Sequence, residues 1–154
     1  MERGVIKYRD RQKQIFDFSG MRWKNITPTD LDVLIDFGDK FFVIAELKVK
    51  GVDLPFGQNL AIERLCDNLN ASGKISLAIV SEHETKSDED VNYAETIVKK
   101  YRFEGKWCTP EKVYTVRKLI DEFLEKYVPG YLDDNWMNEE WRQNRLYKAL
   151  FHIK

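Results

Sequence analysis

Thr29 to Leu65 reads TDLDVLIDFGDKFFVIAELKVKGVDLPFGQNLAIERL. Leu31–Phe37 and Lys40–Val49 are apolar segments on either side of Gly38-Asp39, a pattern that predicts an antiparallel hairpin. Phe41 to Ala45 is apolar without a break, as in a strand covered on both faces. Pro55 suits the first turn of a helix expected to run to about Leu69, with Leu60, Ala61, Leu65 and Leu69 on its inward stripe. Asn70-Ala71-Ser72-Gly73 ends it. Against this background Asp32, Glu46 and Lys48 stand where apolar residues would pack better. Buried ionisable groups are costly unless something compensates them. A divalent cation together with a phosphodiester would do so.

The register of the hairpin decides whether these groups meet. Glu46 and Lys48 are two apart on one strand and share a face, while Leu47 points the other way. Cross-strand partners have indices that sum to a constant, and the midpoint of Asp32 and Glu46 is Asp39, inside the turn. A three-residue loop, Gly38-Asp39-Lys40, pairs Phe37 with Phe41 and sets Asp32 opposite Glu46. A two-residue loop at Gly38-Asp39 would send the carboxylates to opposite faces. In the first register the two acids repel and resist joint ionisation. Mg²⁺ takes a few carboxylate oxygens plus waters and a substrate phosphate. Held there, it would polarise the phosphate and activate a water for in-line attack, with Lys48 stabilising the negative charge that grows. Glu84-Thr85-Lys86 and Glu104-Gly105-Lys106 repeat the Glu-x-Lys spacing in a polar loop and at a turn, so spacing alone is a weak signal. The bland alternative for Glu46 and Lys48 is an edge-strand salt pair of marginal worth in water.

Outward from this stretch, the pattern predicts a basic helix over Tyr8–Phe18 with Ile15 and Phe18 inward. A buried strand is expected at Ile75–Val80, an acidic surface loop over Ser81–Asp90 and a strand at Thr96–Phe103. Glu104-Gly105-Lys106 reads as a turn leading to Trp107. Thr115 is placed to cap a helix over Val116–Tyr127 that Pro129-Gly130 stops. A last amphipathic helix is expected over Asn138–His152. This order belongs to α/β or α+β folds, with helices flanking a small mixed sheet. The expected organisation is one domain over residues 1–154, its core over 8–110 and a C-terminal helical extension over 111–154.

The chain has 154 residues, 43% of them apolar and 13% aromatic, with net charge −1. That composition fits a globular protein and excludes a disordered one. With no overall pull on polyanions, any nucleic-acid surface must be local. Cys66 and Cys108 form neither a disulfide framework nor a zinc pattern. No apolar run approaches a membrane span, and the start, MERGVIKYRDRQKQ, is too charged for a signal peptide; a soluble cytoplasmic protein without a membrane partner is expected. His83 and His152 are isolated, and there is no nucleotide-binding glycine loop or serine or cysteine nucleophile arrangement.

The segment from Ile26 to Leu69 resembles the PD-(D/E)XK nuclease superfamily, especially small phage-encoded members with a T-D-h-D…E-h-K…G-Q pattern, where h is apolar. Thr29-Asp30-Leu31-Asp32, Glu46-Leu47-Lys48 and Gly57-Gln58 match it. The resemblance implies a restriction-endonuclease-like αβββαβ core and a Mg²⁺-dependent (deoxyribo)nuclease, a phosphodiester hydrolase acting on nucleic acid, DNA first, in the host cytoplasm if phage-encoded. It implies that Asp32 and Glu46 bind Mg²⁺ or Mn²⁺, with the Leu47 carbonyl as third ligand. Lys48 would serve the nucleophilic water, and Gln58 a water or phosphate. The pattern departs from the family in two places. The third hairpin strand is missing before the Gln58 helix, unless Met21–Ile26 supplies it. The proline that normally precedes the aspartate is Pro28, two before Asp30 and four before Asp32, which leaves both aspartates open; register favours Asp32. Asp10 and Asp17 are equal candidates for the acidic residue that many members carry on their first helix.

Other features admit two readings. Gln58 and Asn59 also suit the first turn of a helix. Asp36 shares the Asp32 face but lies near the turn, in solvent. Arg3, Lys7, Arg9, Arg11, Lys13, Arg22 and Lys24 either contact phosphates or form a solvated face. The same choice holds for Lys99, Lys100 and Arg102, where Tyr101 and Phe103 would add a stacking surface. Trp136, Trp141, Tyr147 and Phe151, with Arg142, Arg145 and Lys148, make a packed helix, a homodimer contact or a nucleic-acid clamp. The alternative function is a catalytically inactive binding module that keeps the fold, an inhibitor or assembly factor whose acidic 82–90 stretch meets a protein partner. The charges kept at Asp32, Glu46 and Lys48 argue against it.

Overall fold

A computed structural model describes residues 8–131, and the chain divides after Asp30 into two units. In the first, the helix expected over Tyr8–Phe18 is a single turn, α1 (Arg9–Gln12). Ile15 is 95% exposed and Phe18 is exposed too, so neither faces a core. With no apolar stripe to bury, so short a helix has little to sustain it. Met21–Ile26 forms a tight turn closed by the reciprocal backbone bonds of Trp23 and Ile26, a lone bridge and not a strand.

The second unit is built on one mixed sheet of five strands in the order β1 (Val33–Phe37), β2 (Phe41–Val49), β3 (Ile75–His83), β4 (Ile97–Phe103) and β5 (Lys106–Cys108). Only β2 and β3 are parallel. A parallel pair needs a crossover, and α2 (Phe56–Ala71) supplies it. Central β2 and β3 are covered on both faces, which is why their apolar runs are continuous. The fold is thus α+β, a small mixed sheet with a few helices. Among the described residues no helix is long and apolar enough to cross a membrane.

The two faces carry different cores. On one, Phe41, Val43, Ala45, Leu77 and Ile79 pack against α3 (Val116–Tyr127), which presents Val116, Leu119, Ile120 and Leu124. Tyr101 and Phe103 belong to this core, ring against ring with Phe123 at 5.7 and 4.9 Å; they are not the stacking surface the sequence allowed. Thr115 caps α3 by accepting from the Lys118 amide at 3.3 Å. Thr115→Ala is expected to cost about 1 kcal/mol, read as a lower urea midpoint with an unchanged slope.

On the other face, Ile44 and Ala78 pack against Ile62 and Cys66 of α2. The inward row of α2 is Gln58, Ile62 and Cys66, with Leu69 half-buried, whereas Ala61 and Leu65 face solvent and Leu60 is only half-buried. The expected stripe was therefore rotated, because the residue heading the true row is polar. β3 also runs three residues past Val80. Ser81 is fully buried and accepts from the Thr96 hydroxyl at 3.1 Å, so the acidic loop begins only after His83. The aromatic and basic C-terminal segment, including the helix expected over Asn138–His152, lies outside the described residues, as do Arg3 and Lys7.

Candidate metal and phosphate site

The hairpin turn sets the register. Gly38 and Asp39 both have left-handed φ, 63° and 60°, which glycine adopts freely and aspartate tolerates. The Asp39 amide donates to Asp36 Oδ1 at 2.7 Å, and Lys74 holds Asp39 Oδ2 at 2.7 Å. Asp36 is therefore a turn residue, exposed as expected. Phe37 pairs with Phe41 and Val33 with Ala45, so the three-residue loop is the one formed. One step further, Asp32 stands opposite Glu46.

Beyond Val33 side chains take over the ladder. The Leu47 amide donates to Asp32 Oδ2 at 2.7 Å, and the Asp32 amide donates to Glu46 Oε1 at 3.2 Å. The N–H and C=O of one strand residue point to the same edge. The Leu47 carbonyl therefore lies on the edge that its amide shares with Asp32. Lys48 Nζ sits 3.4 Å from Glu46 Oε2. Asp32, Glu46, Leu47 and Lys48 are thus brought together.

Glu46 is 1% exposed although it is a carboxylate. Burial first, and the neighbouring Asp32 charge second, push its carboxyl above the ordinary range; the Asp32 amide and Lys48 only partly oppose this. A second carboxylate beside a buried one is a strained arrangement, and a cation relieves it. Among the described residues no three His, Cys, Asp or Glu side chains converge into a cage. The donor set is two acids and a backbone oxygen, which suits Mg²⁺, an ion that keeps waters and takes substrate phosphate.

Gln58 heads the buried row of α2, 8% exposed. α2 runs back along the sheet from the end of β2, and one helical turn matches about two strand residues. Since Ile62 packs with Ile44 and Ala78, Gln58 is placed over the next row, that of Glu46 and Val80. Asp30 falls in the preceding unit. Asp10 is exposed and salt-bridged to Lys13 at 3.9 Å. Asp17 accepts from its neighbour Ser19 at 2.8 Å and lies outside α1. So neither sits on a sustained first helix.

Four further residues on this face were not singled out together by sequence. Glu63 Oε1 accepts from Asn59 Nδ2 and from Trp107 Nε1, both at 2.7 Å. Lys100 Nζ lies 3.4 Å from Asn59 Oδ1 and 4.3 Å from the Trp107 ring centroid. Nearby, Lys99 is paired with Asp53 at 2.9 Å and Glu82 at 3.0 Å. Arg102 is buried against Asp67 at 2.9 Å, which gives it a structural role. No protein-family model, characterised protein or solved structure matches this chain.

Proposed function

We propose that this protein is a metal-dependent nuclease that hydrolyses phosphodiester bonds, with DNA as the first substrate to test. The observation that supports this most is the buried Glu46 carboxyl held against Asp32 and Lys48 at the end of a hairpin. The run β1, β2, α2, β3 also follows part of the αβββαβ core of the PD-(D/E)XK superfamily, less one hairpin strand and the opening helix, of which only the single turn α1 forms.

In this reading Asp32, Glu46 and the Leu47 carbonyl hold Mg²⁺ or Mn²⁺. The ion supplies Lewis-acid polarisation of the phosphate and a water acidified toward neutrality. Lys48 places an ammonium where negative charge grows on the phosphoryl oxygens. Gln58, over the Glu46 row, orients a water or a phosphoryl oxygen. The α2 backbone adds a helix N-terminus with no acidic residue in its first turn, the end that favours anions.

Lys48→Ala is expected to slow Mg²⁺-dependent cleavage of linear duplex and single-stranded DNA by about 100-fold or more, the cost of losing one preorganised charge donor. EDTA should abolish cleavage by the wild type. Metal-dependent cleavage that persists at full rate in Lys48→Ala would refute the mechanism. A wild type that binds DNA and Mn²⁺ but cuts nothing would instead mark a binding module.

A further inference from the structure

We infer that Lys100 is a second anion contact of this site, taking a nucleic-acid phosphate beside the one being hydrolysed. The inference rests on the nuclease reading and adds a substrate-binding residue to it.

Glu46, Val80 and Lys100 are cross-strand partners in one row of β2, β3 and β4. Directly paired residues share a face, so Lys100 projects from the same side of the sheet as Glu46, the side that α2 covers. Strands lie about 4.8 Å apart, which puts the two backbones roughly 10 Å from each other. Asn59, the neighbour of Gln58 in the first turn of α2, reaches Lys100 from above.

The lysines of this face differ in what holds them. Lys48 is paired with Glu46, and Lys99 with both Asp53 and Glu82. Lys100 has no carboxylate within ion-pair distance among the described residues; an amide oxygen and an indole face hold it. Both holders are themselves fixed by one oxygen of Glu63. The ring Glu63, Asn59, Lys100, Trp107 thus orients an ammonium without ion-pairing it. A neutral amide and a π-face do not neutralise it, and Asp53 attracts it only from beyond ion-pair distance, so the charge stays available to an anion. A half-buried lysine fixed in this way, in the Glu46 row, is built to meet an anion, and in a nuclease the anion next to the scissile phosphate is another phosphate.

The test uses the full chain and a fluorescein-labelled 20-base-pair duplex, with anisotropy read in EDTA across a salt series and cleavage read in Mg²⁺. Lys100→Gln should weaken binding about 10-fold and lower the slope of log affinity against log salt by about one, the loss of a single phosphate contact. In cleavage its KM should rise by a similar factor with kcat nearly unchanged. Lys100→Arg should restore the salt slope, which a merely structural role would not predict. Trp107→Phe keeps a smaller aromatic face but drops the bond to Glu63, and should raise KM a few-fold with the slope intact. An unchanged slope and KM in Lys100→Gln would overturn the inference while leaving the nuclease reading standing. A slope that falls in a protein that never cuts would keep Lys100 as a phosphate contact but overturn the nuclease reading and, with it, the place beside a scissile phosphate.

Discussion

Glu46→Gln is expected to cut metal-dependent cleavage at least about 1000-fold, a loss of roughly 4 kcal/mol of transition-state stabilisation, and at the same time to raise the melting temperature of the metal-free protein. The two effects have one cause. Burial and the Asp32 charge raise the Glu46 carboxyl above its ordinary range. Between the ordinary and the raised value, the folded state holds a proton that the unfolded state has released. Stability from this group is therefore full below the ordinary carboxylate range and is lost as pH rises through the raised value. At neutral pH the metal-free fold carries a buried charge that glutamine would not. Each kcal/mol of relief corresponds to about 2–4 °C in a domain of this size, so the rise is readable by calorimetry. The gain should vanish at pH 4, where the wild-type carboxyl is protonated. Differential scanning calorimetry at pH 4 and pH 7.5 checks it; a glutamine variant less stable than wild type at pH 7.5 would contradict it.

Phe41→Ala is expected to cost about 3–5 kcal/mol, the range for a fully buried aromatic. Phe41 is wholly buried and stacks on Phe37 with ring centroids 5.6 Å apart; Phe37 in turn meets Tyr131 edge-on at 5.0 Å. The contact does more than fill space, because Phe37 and Phe41 are the first pair of the hairpin. A slip of one residue there would carry Asp32 to the other face. Urea denaturation should therefore show a large drop in midpoint, and Mn²⁺ should restore less stability to this variant than to wild type. A loss below 1 kcal/mol would mean that the stack does not hold the register.

The parts of the fold legible in the sequence are those set by local chemistry. Gly38-Asp39 announced a hairpin with two possible registers, of which the structure takes the one that sets Asp32 against Glu46, and Thr115 and Pro129-Gly130 bracketed α3 correctly. What was not legible depended on tertiary partners. The inward row of α2 begins with Gln58, so an apolar count alone chose the wrong face, although Gln58 itself had been singled out. Ser81 and Glu82 look like loop residues, yet the Thr96 hydroxyl and Lys99 ammonium accommodate them within β3. The ring around Lys100 joins residues up to 44 apart in sequence, and no local pattern predicts it. The basic charge near the N-terminus suggested a helix, but without an apolar stripe only one turn forms.

In this reading Asp32 and Glu46 make one cation site. Calorimetric titration of the wild-type protein with Mn²⁺ at pH 7.5, repeated at pH 5, is the decisive measurement. Glu46 binds the ion as the carboxylate it already is at pH 7.5, so affinity should fall as the pH drops into the range where its raised carboxyl takes up a proton. It should weaken by more than about 100-fold in both Asp32→Asn and Glu46→Gln, beyond the loss typical of a residue that only supports a ligand. Equal Mn²⁺ affinity in wild type and Asp32→Asn at pH 7.5 would show that the two acids do not share an ion.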